Sequence, residues 1–281
     1  IQSYFDYIEK NNLAVISIDK QDSLSFVTIQ DFYSKRDYNE TLKGARQYLD
    51  KYQNGAYLLD VHYYAMKSLE GLGETEEIRQ HIEYVINQPD NDYTDNALLL
   101  IARMDYDAEN YSSSAEYYDR LADITENQDI MLEAIEGSMK SHYFNNEYNK
   151  SIEKANEILA INEISDNQKI QANYILAKSY FDKGDYEESL KYFNICTGLD
   201  KTEIGAESGY SSAVCLYNYM YWTARSFIIL SDVYVAKDND FQAKETLKSV
   251  IENYPHDELN HGGIVNEAQE KLNAINATTN E

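Results

Sequence analysis

Glycine and proline are scarce in this sequence. Its 281 residues contain 11 glycines and two prolines, whereas sheets built from many short strands need a turn about every 8–12 residues. The shortage of turn formers argues against an all-β sandwich or barrel. Hydrophobic residues make up 43% of the chain, which is enough to bury a sizeable core, so we expect a folded rather than a disordered protein.

Cysteine is nearly missing, and long hydrophobic runs are missing altogether. Cys196 and Cys215 are the two cysteines, too few for a disulfide framework or a four-cysteine metal site, and we expect both to be buried free thiols. No apolar run approaches the roughly 18 residues that a membrane-spanning helix needs. The sequence therefore predicts no membrane span in this chain.

Positive charge is also in short supply. Lysine and arginine number 24 against 49 aspartates and glutamates, which gives a formal net charge of -25 at pH 7. A chain with this charge repels phosphate backbones and anionic lipid surfaces. We therefore expect no nucleic acid among its partners.

What the sequence does contain is a repeat. An acidic or polar residue followed by an aromatic one recurs along the chain, with a degenerate copy at Glu74-Thr75. The copies are Asp37-Tyr38, Asn110-Tyr111, Glu147-Tyr148, Asp185-Tyr186 and Asp240-Phe241. From position 38 to position 186 the spacings are 37, 36, 37 and 38 residues. A steady period in this range is typical of a repeat array.

Each repeat reads as two helices. After Tyr186, the residues Ser189, Phe193 and Cys196 follow at three, seven and ten positions, which is the spacing of one helix face. An amphipathic stretch precedes each turn, and Gly184 is typical of a helix end. We call the helix before the turn helix A and the helix after it helix B. The pattern predicts an all-α fold, a right-handed α-solenoid of about six stacked helix pairs.

The residues of the fifth unit carry a family resemblance. They are Tyr174, Leu176, Ala177, Tyr180, Gly184, Tyr186, Ser189 and Phe193. At these positions the chain resembles the tetratricopeptide repeat family, which implies a scaffold that binds proteins. Residues 221–230 and 241–244 further resemble the C-terminal part of long tetratricopeptide proteins of Bacteroides-type bacteria, related to Tol-Pal accessory and outer-membrane assembly lipoproteins. That resemblance implies a periplasmic or outer-membrane-associated location and an envelope or Tol-Pal-like component as partner.

The spacing breaks after Tyr186, because the next turn aromatic, Phe241, lies 55 residues later. Either the array has lost half a repeat, or residues are missing near Asn218 and two distant segments have been joined. We expect the second, with a chain break or an abrupt helix juxtaposition at Asn218-Tyr219, since an unpaired helix A would leave an apolar face uncovered. The sequence predicts five segments: the end of an upstream repeat plus a linker (1–20), five repeats (21–204), helix A of an incomplete repeat (205–218), the last repeat (219–256) and a capping helix (262–277).

Signals for chemistry are weak. His256, Asp257, Glu258 and His261 bring four possible metal ligands together, but without a third anchor at a diagnostic spacing. There is no glycine-rich phosphate loop and no nucleophile elbow. We expect no enzyme, no cofactor and no metal, and we interpret the remaining histidines as ordinary helix residues.

Tyrosine is abundant, with 27 copies, and many occupy positions five and twelve of helix A, which line the concave groove of such arrays. These aromatic groove candidates are Tyr33, Tyr63, Tyr106, Tyr143, Tyr174, Phe181, Tyr210 and Tyr217. Position nine of helix A holds a cation in four consecutive repeats: Lys67, Arg103, Lys140 and Lys178. Inside so acidic a protein, this row predicts a groove for an acidic or carboxylate-terminated peptide. The alternative is that the tyrosines are ordinary packing residues and the cations a solvated face.

The sequence thus predicts a non-catalytic scaffold that binds a polypeptide in its concave groove. Two other functions stay open. The chain could be an architectural scaffold that self-associates through its ends, or a metal-dependent module that uses the loop from His256 to His261.

Overall fold

The structure, a computed structural model, describes residues 2–11, 16–89, 91–196, 213–254 and 263–278, with the backbone alone for residues 2, 5, 6, 9 and 213–220. The regular structure of these residues is helical. In chain order the helices are α1 (Gln2–Lys10), α2 (Ile18–Ser34), α3 (Tyr38–Lys51), α4 (Leu58–Leu72), α5 (Ile78–Ile86), α6 (Thr94–Asp107), α7 (Tyr111–Ile124), α8 (Gln128–Phe144), α9 (Tyr148–Ala160), α10 (Asp166–Asp182), α11 (Tyr186–Cys196), α12 (Ala213–Ala236), α13 (Asp240–Asn253) and α14 (Ile264–Thr278).

The chain divides into two compact units, Ile1–Met104 and Asp105–Glu281, here called unit 1 and unit 2. In unit 1, α2 packs on α3 and α4 packs on both α3 and α5. In unit 2, each helix from α7 to α14 packs on the next, and α10 also packs on α8 and α12. Consecutive helix pairs therefore stack on their neighbours within each unit, and the predicted all-α fold of solenoid type is confirmed.

One turn geometry joins helix A to helix B in every pair. The backbone N–H at the start of helix B donates to the carbonyl five residues earlier, over 2.8–3.0 Å, in the manner of a Schellman motif. The residue just before that N–H has a positive φ, which strains any residue but glycine. These residues are Arg36, Gly73, Glu109, Asn146, Gly184 and Asp238. Glycine holds two of these six positions, Gly73 and Gly184, so the recurring polar-aromatic pair, and not glycine, marks the other four turns in the sequence.

Small side chains let the helices of a pair approach closely. Ser151 of α9 donates to the carbonyl of Met139 over 3.0 Å, and Ser189 of α11 donates in the same way to Ala177 over 2.9 Å. Gly137 lies against the ring of Tyr118, where a Cβ would come within 2.4 Å of a ring carbon. The three-residue spacing from turn to serine that appears in the sequence therefore marks real contacts between helices A and B.

The structure differs from the predicted boundaries around Asn218. The backbone is helical through Asn218 and Tyr219, because α12 is one helix from Ala213 to Ala236, and the expected break or juxtaposition is not found. Residues 213–218 therefore form no separate helix A, since no glycine or proline in this stretch ends the helix. Among the described side chains of α12, Ile229 and Val233 pack in a buried cluster with residues of α10 and α11, and Ala224 and Ile228 pack in a cluster with residues of α13. Residues 197–212 lie outside the described part of the chain.

The register of the last turn is one residue earlier than the sequence indicated. Asn239 caps α13, its side chain accepting from the N–H of Gln242 over 3.2 Å, and Asp240 is the first helical residue. Phe241 is 69% exposed and does not hold the place of Tyr186. Ser231 then corresponds to Ala177, and both are buried. The degenerate turn at Glu74-Thr75 also has a visible effect, because α5 begins only at Ile78.

Cys196 is a buried free thiol, as predicted, and burial raises its pKa to about 12. An unreactive thiol in a packing position is the result. The side chain of Cys215 lies outside the described residues.

Candidate functional site

The predicted cations share one structural register. Each lies two residues before the carbonyl that accepts the turn hydrogen bond, namely those of Leu69, Asp105, His142 and Tyr180. Lys67 and Arg103 belong to unit 1, and Lys140 and Lys178 to unit 2. The row of four therefore remains a prediction, and each half is described within its own unit. Tyr210 and the loop from His256 to His261 lie outside the described residues, as does the side chain of Tyr217.

In unit 1, Lys67 is neutralised by its own helix. Its ammonium pairs with the carboxylate of Glu70, three residues further along α4. Both side chains remain partly exposed, so this pair adds little to stability. Arg103, near the end of α6, is exposed. The position-nine cations of unit 1 are thus a helix-surface ion pair and an exposed arginine.

In unit 2, two of the predicted groove residues meet at a carboxylate that the sequence analysis did not single out. The hydroxyl of Tyr143 on α8 donates to Asp182 over 2.7 Å, and the ammonium of Lys178 lies 3.4 Å from the other carboxylate oxygen. Burial and then this hydrogen bond raise the pKa of Tyr143. Lys178 also lies 5.4 Å from the ring centroid of Phe181. Asp182 therefore ties together the helices A of two consecutive repeats.

Lys140 differs from the other lysines at position nine. It is half-buried on α8, and burial lowers the pKa of its ammonium although Glu136 and Glu133 act in the opposite direction. Among the described residues, no acceptor lies within hydrogen-bonding or ion-pairing distance of its Nζ. An ammonium that has lost water without gaining a partner carries a desolvation cost. The carboxylates of Glu136 and Glu133 favour its charged form but do not outweigh the effect of burial.

The described aromatic candidates are all half-buried, and they make ring contacts with neighbours. Tyr174 packs against Trp222 with ring centroids 5.0 Å apart, and burial raises its pKa. Burial likewise raises the pKa of Tyr106 to about 12. Three further pairs of rings are in contact. Their centroids lie 5.5 Å apart for Tyr106 and Tyr111, 5.3 Å for Tyr143 and Phe144, and 5.5 Å for Phe181 and Tyr186. Phe144 is 47% exposed.

Unit 1 contains a continuous set of seven rings, here called the ring network. Its members are Phe26, Tyr33, Tyr38, Tyr57, Tyr63, Tyr64 and Tyr93. Two pairs stack face to face, Phe26 on Tyr57 at 4.2 Å and Tyr63 on Tyr93 at 4.0 Å. Tyr64 connects these pairs, because its ring centroid lies 6.2 Å from that of Phe26 and 5.9 Å from that of Tyr63. Tyr33 adjoins Tyr64 at 4.7 Å and Tyr38 at 6.3 Å. Of these rings, only Tyr33 and Tyr63 were among the predicted groove residues.

The histidines of unit 1 form a neutral pair. The Nδ1 atoms of His62 and His81 lie 2.9 Å apart, and Tyr84 stacks on His62 at 3.8 Å. Burial, and then the neighbouring His81, lower the pKa of His62 to about 4. Burial also lowers the pKa of His81. At neutral pH the two rings therefore share a hydrogen bond without charge.

His142 in unit 2 lies between two carboxylates, which favour its cationic form. Its Nε2 lies 3.0 Å from Asp119 and its Nδ1 2.6 Å from Glu147. Burial lowers the pKa of the imidazole, but the hydrogen bonds to both carboxylates outweigh burial and raise it. Asp119 also accepts from Ser138 over 2.6 Å and lies 3.3 Å from Lys154. Because Glu147 opens the turn into α9, this network fastens the turn to α7 and α8. It explains a histidine that the sequence left as an ordinary helix residue.

The features that sequence reasoning missed had a local signal in part. Glu70 and Asp182 stand three and four residues after Lys67 and Lys178, which is the spacing of helix-surface ion pairs. Tyr57, Tyr64 and Tyr93 have no such signal, since their contacts join residues about 30 positions apart.

In the described part of the chain, no group of three possible metal ligands occurs. No helix there is long and apolar enough to span a membrane.

Comparison with known proteins identifies repeats in the second half of the chain. Family models described as tetratricopeptide repeat match residues 170–203 and 219–257. The first match contains α11 and most of α10, and the second contains α13 and most of α12. The chain therefore contains tetratricopeptide repeats. The matched residues 219–257 coincide with the predicted last repeat, to which α12 adds residues 213–218 as a helical extension.

The solved structures that are similar to this chain include the following three. A tetratricopeptide repeat protein from Parabacteroides merdae is 12% identical, with a TM-score of 0.49, over 88% of this chain and 98% of its own. PilW, a type IV pilus biogenesis factor, is 12% identical, with a TM-score of 0.48, over 90% and 99%. The TPR domain of P58(IPK) is 9% identical, with a TM-score of 0.34, over 92% and 66%. No curated protein sequence matches.

Proposed function

We propose that this chain is a non-catalytic scaffold that binds an acidic or carboxylate-terminated peptide on the helix A face of unit 2. Tetratricopeptide repeats are typically protein-binding modules without catalysis, and helix stacks offer long surfaces on which a peptide can lie. The peptide-binding residues are Lys140 and Lys178 with Tyr143, Tyr174 and Phe181 beside them. Tyr106 of unit 2 holds the same register, and within unit 1 the equivalent positions are Tyr63, Lys67 and Arg103.

The observation that carries this proposal is the half-buried ammonium of Lys140. It is partly desolvated and has no ion-pair partner among the described residues, so a peptide carboxylate would relieve a cost already present in the free protein. Asp182 holds Tyr143 and Lys178 in place, which reduces the side-chain entropy lost on binding. In a chain with a net charge of -25, Lys140 attracts a negative ligand to this face, whereas Lys178 is already paired with Asp182.

We further propose a periplasmic or outer-membrane-associated location, with an envelope or Tol-Pal-like component supplying the peptide. The support for this part is the resemblance of residues 221–230 and 241–244 to envelope-associated tetratricopeptide proteins. Fractionation of cells that express the natural gene tests this location, and recovery in the cytoplasmic fraction would refute it.

The alternative function, a scaffold that self-associates, predicts a mass in sedimentation that rises with protein concentration. A monomer at all concentrations would argue against self-association.

The binding experiment uses an acetylated decapeptide of alternating glutamate and serine with a free C-terminal carboxylate. Calorimetry on the full chain should give saturable binding that weakens as salt is added. Replacing Lys140 and Lys178 by glutamate should weaken binding by about tenfold or more, because both cationic contacts become repulsive.

The matched control reverses two lysines on helices B of the same unit. Lys191 on α11 and Lys248 on α13 are exposed, and their reversal makes the same change in net charge. This control should retain binding within about twofold. Equal weakening by both double variants, with the helical content intact, would show that net charge rather than the helix A face governs capture. A C-terminally amidated glutamine peptide should bind neither protein.

A further inference from the structure

Two histidine rings meet between the helices of one pair in unit 1. His62 lies on α4 and His81 on α5. Their Nδ1 atoms are 2.9 Å apart, and their ring centroids are 5.0 Å apart. Tyr84 stacks on His62 at 3.8 Å, which restricts the movement of that ring. The two nitrogens therefore face each other across the contact between α4 and α5, where a shared proton or a metal ion can bridge them.

The two nitrogens have the spacing of a chelating pair. Metal–nitrogen bonds of about 2.0–2.1 Å place two imidazole nitrogens about 2.9 Å apart at a right angle and about 3.3 Å apart at the tetrahedral angle. The observed separation of 2.9 Å equals the first value, which suits copper, and is about 0.4 Å below the second, which suits zinc. The ring centroids lie within about 0.5 Å of the separation that either angle requires. Small tilts of the rings would point both lone pairs at one ion.

Both rings can offer a lone pair at Nδ1. The hydrogen bond that they share requires a proton on one Nδ1 atom. Transfer of that proton to the Nε2 atom of the same ring gives the other neutral tautomer and leaves both Nδ1 atoms open to a metal ion. His62 is only half-buried, so water can carry the proton between its nitrogens. The pair can therefore bind a metal ion without any change in its own charge.

The described residues supply two of the ligands that such an ion needs. No third histidine, cysteine or carboxylate joins the pair in the described part of the chain. Glu77, at the start of α5, is already paired with Arg46 of α3 over 2.7 Å. Water must complete the coordination on the side of His62, because His81 is buried. We therefore expect weaker binding than at a site with three or four protein ligands.

The pair lies where a link between helices has the clearest use. α5 has nine residues, follows the degenerate turn at Glu74-Thr75, and begins without a side-chain cap at Glu77. A helix of this length is marginal by itself and depends on its packing against a neighbour. An ion held by both histidines would join the first half of α5 to α4.

We propose that His62 and His81 form a binding site for a divalent transition metal ion, copper or zinc, that links α4 to α5. Imidazole is a favourable ligand for both ions. The ion lies beside the line between the two Nδ1 atoms and replaces the hydrogen bond that they share. This site is separate from the peptide-binding face of unit 2 and from the loop between His256 and His261.

Titration of the full chain with CuCl₂ or ZnCl₂ tests the proposal. Excess Mg²⁺ in every sample occupies the surface carboxylates, since this ion prefers oxygen ligands. At least one of the two transition metal ions should bind with saturation and increase amide protection in α4 and α5. His62→Phe keeps a ring against Tyr84 but removes one ligand, and it should weaken binding by about tenfold or more. His142→Phe, the matched loss of one histidine in unit 2, should leave binding unchanged.

Three outcomes would overturn the proposal: neither ion binds, His62→Phe binds as the wild type does, or the gain in protection lies outside α4 and α5. A variant with His256→Ala and His261→Ala should keep the protection of α4 and α5. Loss of all binding in that variant, with retention in His62→Phe, would place the metal in the C-terminal loop instead.

The Lys140→Glu, Lys178→Glu variant separates this proposal from the proposed function. It should bind the metal ion as the wild type does, because neither lysine lies in unit 1. His62→Phe should likewise retain the glutamate peptide. Loss of metal binding in the lysine variant would show that the ion is not held by the histidine pair alone and would contradict the site.

Discussion

Units 1 and 2 use the same turn and the same position-nine register, but they occupy the surrounding positions with different chemistry. Unit 1 has 17 acidic and 10 basic residues, a net charge of -7, whereas unit 2 has 32 and 14, a net charge of -18. Unit 1 pairs two histidines with lowered pKa values and joins seven aromatic rings, whereas unit 2 places one histidine between two carboxylates that raise its pKa. A repeat register therefore fixes where side chains lie and leaves their electrostatics open.

The first prediction concerns the closest packing in each unit. Gly137→Ala would bring a Cβ within 2.4 Å of the ring of Tyr118, which is buried and has no room to move, so unit 2 should lose about 2–3 kcal/mol of stability. Gly71→Ala makes a similar approach, at 2.5 Å, to Tyr38 in unit 1. Tyr38 is only half-buried and can rotate, and we expect a loss of about 1 kcal/mol.

Amide hydrogen exchange can locate these losses. Gly137→Ala should reduce protection in α7 and α8 more than in α3 and α4, and Gly71→Ala should do the opposite. Equal losses of protection in both units from either substitution would refute the division of the chain into two packing units.

The second prediction concerns pH, because the histidines of the two units should respond in opposite directions. The pKa of His62 is lowered to about 4 and that of His81 is lowered as well. The unfolded chain therefore binds more protons below pH 6.5, and unit 1 should lose stability as the pH falls from 6.5 to 4. The pKa of His142 is raised. Its contribution is complete below pH 6.5 and is lost as the pH rises through its folded value.

Both histidine effects should be on the order of 1 kcal/mol after solvent screening. Hydrogen exchange across pH 4–8 measures them, with His62→Phe and His142→Phe as matched variants. Each substitution should flatten the pH dependence of its own unit only. Suppose that the stability of unit 2 in the His142→Phe protein falls with pH above 6.5 as steeply as it does in the wild type. That result would show that Asp119 and Glu147 do not raise the pKa of His142.

The third prediction has the smallest effect and tests what the units share. Glu109 and Arg36 adopt positive φ angles of 60° and 59° in the turns of units 2 and 1. Replacing either by glycine should stabilise its unit by about 0.5–1 kcal/mol, because glycine adopts this conformation without strain. Thermal unfolding measures the gain, and Gly184→Ala is the control with the opposite sign. A destabilising Glu109→Gly would mean that the side chain contributes more than the turn strain costs.

Much of the fold could be predicted from the sequence because its signals are local. The three, seven and ten spacing after Tyr186 and the glycine at 184 are features of one helix or one turn, so they predict helix pairs without knowledge of their neighbours. Position nine of helix A was also predictable, since a shared turn transmits the register from repeat to repeat. The positive φ angles at Arg36 and Asp238 were not, because the helices on either side impose them.

The candidate sites were predictable in outline only. Lys178 was singled out from its register, but its partnership with Tyr143 through Asp182 joins residues 39 positions apart. The chain break expected near Asn218 was not found, because α12 is continuous from Ala213 to Ala236. The predicted start of the last repeat at residue 219 agrees with the family match over residues 219–257.

The sequence by itself determined the period, the helix pairs and the positions that recur, because these depend on residues within one or two helical turns of each other. The tertiary structure alone decided that Lys140 has no ion pair among the described residues, that His142 lies between two carboxylates, and which aromatic rings of unit 1 contact one another. Charge, burial and ring contacts depend on the atoms that packing brings together, and residues distant in sequence supply most of those atoms.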